Sequence, residues 1–172
     1  MKFKDLIDMA LDRVDEDKEA PDQLALDVIK DGINQGYSLY SVLLDPKTKV
    51  FSYQYEKRKK LPDDFYDFVN VSHSTLGDLS DVDYERQADL ICIHNRYVKN
   101  GTIDVLYIAY PDVLKNEQDD VVLKGNFAHA LSAYGAYAYQ LHRRKYSAAQ
   151  MLLQEFYSYL GITGGEQEVE SE

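Results

Sequence analysis

The side chains in this sequence best suited to chemistry are paired carboxylates. Asp63 and Asp64 are adjacent, and Asp81 and Asp83 lie two apart. Such pairs can hold magnesium and activate a water for hydrolysis, so a small magnesium-dependent hydrolase is one rival reading. Close carboxylates are also common in an acidic chain, and both pairs fall in or near turns, where Asp caps backbone N–H groups. The four histidines, His73, His94, His129 and His142, stand singly, with no His-Glu-x-x-His spacing and no cysteine pair, so no metal centre is expected. Cys92 sits between Ile91 and Ile93, a setting for inert burial and not for a nucleophile. Gly-x-Gly-x-x-Gly, a Walker-type Gly-Lys-Ser/Thr and a Gly-x-Ser-x-Gly elbow are all missing. A non-enzymatic protein without a cofactor is the expectation.

Composition narrows the classes further. Of 172 residues, 45% are hydrophobic and 28% charged, and 19 Lys+Arg against 30 Asp+Glu leave a net charge of -11. These figures describe an acidic globular domain. One cysteine cannot form an internal disulfide, which suits a reducing compartment. The opening Met1-Lys2-Phe3-Lys4-Asp5 lacks the apolar core of a signal peptide, and no stretch approaches the length of a membrane span, so neither secretion nor membrane insertion is expected. Gripping phosphates requires cations gathered on one face. The only basic groups are Lys57-Arg58-Lys59-Lys60 and Arg143-Arg144-Lys145, which read as a solvated loop and a helix surface.

The elements that must position these residues follow from periodicity. Phe3, Leu6, Ile7, Ala10, Leu11 and Val14 recur at spacings of three and four, which predicts an amphipathic helix. Pro21 suits the first turn of a second helix, with Asp22 favourable near its positive end, and the helix runs to the Asp45-Pro46 stop. Gly32 and Gly36 inside it weaken it, so their expected use is close approach of a neighbouring backbone. The period then changes to two, predicting strands over 50–55, 68–73, 90–93 and 103–110, with 83–87 able to pair with 90–93. The Asn100-Gly101 pair between the last two predicts a tight hairpin. Helical periodicity returns through Phe127, Leu131, Tyr134, Ala138 and Leu141, and again through Ala149, Leu152, Leu153, Phe156 and Leu160, with Gly161 as a left-handed stop. The fold class is therefore α+β: two N-terminal and two C-terminal helices forming a bundle over 1–46 and 121–161, a small antiparallel β-meander inserted over 47–120, and an acidic tail over 162–172.

Two features point to a protein that works through surfaces. The Ala-rich helix over 127–141 is apolar or small on every face, a pattern of helices covered on all sides. Lateral packing on sister copies through Phe127, Leu131, Tyr134, Tyr137 and Ala138 is the expected cover, with a purely internal core helix as the alternative. Fifteen tyrosines without any tryptophan also suit buried contact surfaces that keep a polar tip.

The order of parts carries a resemblance. Paired helices, a β insertion opened by Leu61-Pro62-Asp63-Asp64-Phe65, a turn at Asn100-Gly101 into Ile103-Asp104-Val105-Leu106-Tyr107, Tyr110-Pro111 and an Ala-rich helix ending at Arg143-Arg144 together resemble the head-to-tail adaptors of tailed bacteriophages. These are the neck or connector proteins beneath the portal, including the tail tubular and gatekeeper types. The resemblance implies a homo-oligomeric ring of about twelve copies, closed through two different faces of each protomer. It further implies a virion location, assembly in the host cytoplasm, a portal protein and a tail nozzle or tube protein as partners, and DNA passing through the pore without sequence-specific binding. On that plan Tyr157, Tyr159, Gly165, Glu168 and Glu172 would face the portal, and Tyr53, Tyr55, Lys57, Arg58, Lys59 and Lys60 the tail. The alternative function is a stand-alone intracellular regulatory or ligand-binding α+β domain.

Overall fold

The protein is seen in a computed structural model that describes residues 1–16, 21–124 and 127–162. It is an α+β protein whose chain forms two compact units, a helical one from 1–40 and 113–172 and a β-rich one from 41–112. The segment following 112, expected in the β insertion, belongs to the helical unit. Its backbone is bound there: Phe3 N–H donates to Asp119 C=O at 3.0 Å, and Val121 N–H donates to Met1 C=O at 2.9 Å. Asn34 clamps the same segment in both directions, accepting from Leu114 N–H at 2.8 Å and donating to Leu114 C=O at 3.0 Å.

Four helices build the helical unit: α1 (Phe3–Arg13), α2 (Gln23–Leu44, whose last turn passes into the β unit), α3 (Ala128–His142) and α4 (Tyr146–Tyr159). The α1 stripe Phe3, Leu6, Ile7, Ala10 and Leu11 is buried, as its spacing requires. Helix α2 begins after the Asp22 carboxylate, which caps it by accepting from Ala25 N–H at 3.2 Å, so Pro21 lies just outside the helix and not in its first turn. Gly32 and Gly36 do permit close packing. A Cβ at Gly32 would lie 2.6 Å from Ala138 Cβ, and one at Gly36 would lie 3.0 Å from Tyr134 Cβ. Gly161 ends the last helical stretch at φ 71°, the left-handed conformation glycine adopts without strain.

The β unit holds seven strands in two antiparallel sheets. The larger sheet has the order β1–β7–β3–β4, made of β1 (Lys47–Gln54), β7 (Thr102–Ala109), β3 (Phe65–His73) and β4 (Gly77–Asp78). The smaller has the order β2–β6–β5, made of β2 (Arg58–Lys60), β6 (Leu90–Ile93) and β5 (Tyr84–Gln87). Strand alternation puts Val71, Ile103, Val105 and Tyr107 into one core with Ile91 and Ile93 from the smaller sheet. Two expectations are corrected here. The stretches around 90–93 and 103–110 belong to different sheets and form no hairpin. Gly101 instead sits at φ 99° against His73, whose Nε2 lies 2.5 Å from Asn100 C=O. The basic group is also not a loop: Arg58, Lys59 and Lys60 pair with Cys92, Ile91 and Leu90.

Candidate functional site

Each of the four carboxylates is engaged by neighbouring side chains or backbone. Asp63 is exposed and pairs with Lys60 at 3.0 Å. Asp64 accepts from Tyr107 Oη at 3.0 Å and meets Lys49 Nζ at 2.5 Å, which ties the segment before β3 to β7 and β1. Burial opposes ionisation of Asp64, but the bonds from Lys49 and Tyr107 and the Lys49 charge outweigh it, holding the carboxyl below its ordinary range. The same contacts act on Tyr107, where burial and then the Asp64 bond push the phenol up. Asp83 serves a turn, accepting from Ser80 N–H at 2.9 Å and from Ser80 Oγ at 2.7 Å. Asp81 accepts from Tyr84 Oη at 3.3 Å. Among the described residues no three His, Cys, Asp or Glu side chains gather as a metal site.

The residues assigned to the tail-facing surface separate on folding. Tyr53 is 6% exposed and belongs to the β core, so it offers no outward surface. Its inward position follows from β1 alternation, which points Phe51 and Tyr53 to one side with their rings stacked 5.3 Å apart. Burial pushes its phenol well above the ordinary value, and the hydroxyl has no hydrogen-bond partner. Tyr55 is half-buried, whereas Lys57, Arg58 and Lys60 are exposed. Lys59 is held by Glu56 at 2.5 Å. Next to them is a shallow recess of about 220 Å³, where Lys60, Pro62, Asp63, Arg86 and Asp89 surround Phe65. Arg86 stands 5.0 Å over the Phe65 ring and donates to Tyr66 C=O at 3.0 Å. The recess carries charges of both signs, with Lys60 and Asp63 paired to each other.

Of the lateral-packing residues on α3, one is corrected. Leu131 is 0% exposed, sealed by its own chain, and cannot contribute to a subunit interface. Phe127, Tyr134, Tyr137 and Ala138 are half-buried. Three helices of the same unit cover much of α3, as the alternative of an internal core helix expects. From α1, Arg13 Nε donates to Ser132 Oγ at 3.0 Å; from α2, Ile33 packs against Gly135; from α4, the Phe156 ring lies 4.7 Å from Tyr134. The helix is apolar all round because it is the axis of a four-helix unit.

On α4, Tyr157 and Tyr159 are exposed, and the Tyr159 ring stacks on His129 at 5.8 Å. Gly165, Glu168 and Glu172, the other residues assigned to the portal, lie outside the described residues. Two features escaped the sequence reading. Arg13 links three helices, since its Nη1 also meets Glu155 Oε1 at 2.7 Å, and no local spacing relates residues so far apart. Helix α4 is almost uncharged, which was visible in the sequence, since Glu155 is the one charged residue among the 14 of that helix.

No family model matches the chain, and no curated protein matches it. No helix among the described residues is long and apolar enough to cross a membrane.

Proposed function

We propose that this protein is a structural, non-enzymatic adaptor of a tailed-phage virion, a ring of about twelve copies joining portal to tail around a DNA channel. The observation that carries the reading is the plan of the chain. A β unit interrupts a four-helix unit, with two helices before it and two after, which is the arrangement the resemblance implies. The segment 61–65 holds a determinate place within that plan: Leu61 and Phe65 are both 4% exposed in the β core, and Asp64 is pinned to Lys49 and Tyr107. A net charge of -11 also suits a channel wall, because an acidic wall repels phosphates and avoids salt-sensitive adhesion.

On this reading the mechanism is geometric. The helical unit docks the portal with Tyr157 and Tyr159 at the contact, the β unit presents Lys57, Arg58 and Lys60 to the tail protein, and the assembled ring leaves a pore. The test is to mix the purified protein with portal rings of the same virion and examine the mixture by sedimentation and electron microscopy. Co-sedimentation with added ring density on the portal is expected. A protein that stays monomeric and ignores portal rings at every concentration overturns the reading. A second reading, a stand-alone binding domain, is favoured by the burial of α3 within its own chain. That second outcome of the same experiment is what it predicts.

A further inference from the structure

We infer that the outward side of the first half of α4, at Tyr146, Gln150 and Met151, together with the basic turn before it, docks on the acidic first half of α2 in a second copy of this chain, while Tyr157 and Tyr159 at the other end of the helix stay with the portal. The inference supplies the lateral contact that the proposed ring requires, and so rests on that reading.

Helix α4 is nearly uncharged. Its single charged residue, Glu155, is half-buried and bound to Arg13, and the fully exposed positions of the helix are all Tyr, Ser, Gln or Met. Tyr146 is 65% exposed and Met151 71%. The contrast with α1 is sharp, since Lys4, Asp5, Asp8 and Asp12 crowd its outer side. Loss of charge with exposed Tyr and Met is the composition of an interface centre and not of a solvated surface.

The charges beside this face indicate what covers it. Arg143, Arg144 and Lys145 are exposed at its N-terminal end, and among the described residues none is in an ion pair. The Arg143 guanidinium rests over Tyr139 at 6.0 Å. The opposite pattern occurs on α2, where Asp27 and Asp31 are exposed one turn apart beside Leu24, itself 55% exposed. Asp27 accepts only from Gln23, and Asp31 has no ion pair among the described residues. Both helices pack on α3 through other residues, α2 by Gly32 and Gly36 and α4 by Phe156, which leaves these two faces outward. Copies of a chain with net charge -11 repel one another except where an uncharged surface and a cationic patch meet acidic groups. A second copy supplies both halves at once. Two different patches in contact make a head-to-tail interface, the kind that generates a ring when its rotation closes.

Charge-swapped variants test the pairing, since these surface changes leave the core untouched. Arg144→Glu and Asp31→Arg are made separately, and association is read by sedimentation velocity over a concentration series, free and on portal rings of the same virion. Each variant alone should associate about tenfold or more weakly than the wild type. An equimolar mixture should recover wild-type association, because each variant then finds the opposite charge on its neighbour, and added salt should weaken the contact. Wild-type rings on the portal that both variants reproduce at full copy number overturn this interface and leave the adaptor reading standing. A wild-type chain that is monomeric both free and with portal overturns both.

Discussion

At the scale of single residues, Tyr53 and Asp64 show opposite uses of a polar group near the β core. The Tyr53 hydroxyl is buried without a partner, and an unsatisfied buried donor costs about 1–3 kcal/mol. Tyr53→Phe removes that group while keeping the ring stacked on Phe51, so urea denaturation should show a variant at least as stable as the wild type, by up to about 1 kcal/mol. Asp64 is the converse, with Lys49 and Tyr107 rewarding its charge. Because its folded pKa lies below the ordinary 3.8, the stability it adds is complete above that value and is lost as pH falls through the folded pKa. Asp64→Asn should therefore cost about 1 kcal/mol at neutral pH and lose its effect in strong acid, which chemical denaturation at several pH values would reveal. A difference from wild type that persists undiminished in acid would show that the charge is not what matters.

At the scale of elements, the α2–α3 contact depends on the absence of side chains. Ala at Gly32 would ordinarily strengthen a helix by about 1 kcal/mol. Here its Cβ would lie 2.6 Å from Ala138 Cβ and 3.0 Å from Gly135 Cα, neither of which can swing aside. Overpacking of this kind costs about 1–3 kcal/mol, so Gly32→Ala should lower the melting temperature despite its better propensity. At Gly161 nothing lies within 4 Å, and the constraint is the left-handed φ of 71° alone. The basic strand β2 makes the complementary point: the three residues Arg58–Lys60 pair with β6 through backbone groups, and their side chains carry no strand signal.

At the scale of the whole molecule, each unit has its own core. Phe3, Ile33, Leu131 and Phe156 belong to the helical one, and Val71, Ile91 and Val105 to the β-rich one. Separate cores predict separate cooperative opening. Native-state hydrogen exchange should resolve two groups of protected amides, and Val71→Ala should lower protection in the β unit more than in the helical unit. Uniform loss in both would mean that the chain opens as one body. The same separation fits the adaptor we propose, in which one unit would hold the portal and the other meet the tail.

What the amino-acid sequence determined alone is whatever depends on local periodicity and backbone chemistry. Four helices, the strands around β6 and β7, the close approach at Gly32 and Gly36, and the left-handed stop at Gly161 were all legible, because spacing and glycine act within a few residues. The surface reading was legible only in part. Tyr53 and Leu131 carry the same signature whether an apolar face is covered by its own chain or by another. Only the tertiary structure decided that α1, α2 and α4 enclose α3, that the strands divide into two sheets, and that Asp64 binds both Lys49 and Tyr107. Those outcomes are settled by residues far apart in the chain, through packing and long-range hydrogen bonds that no local pattern encodes.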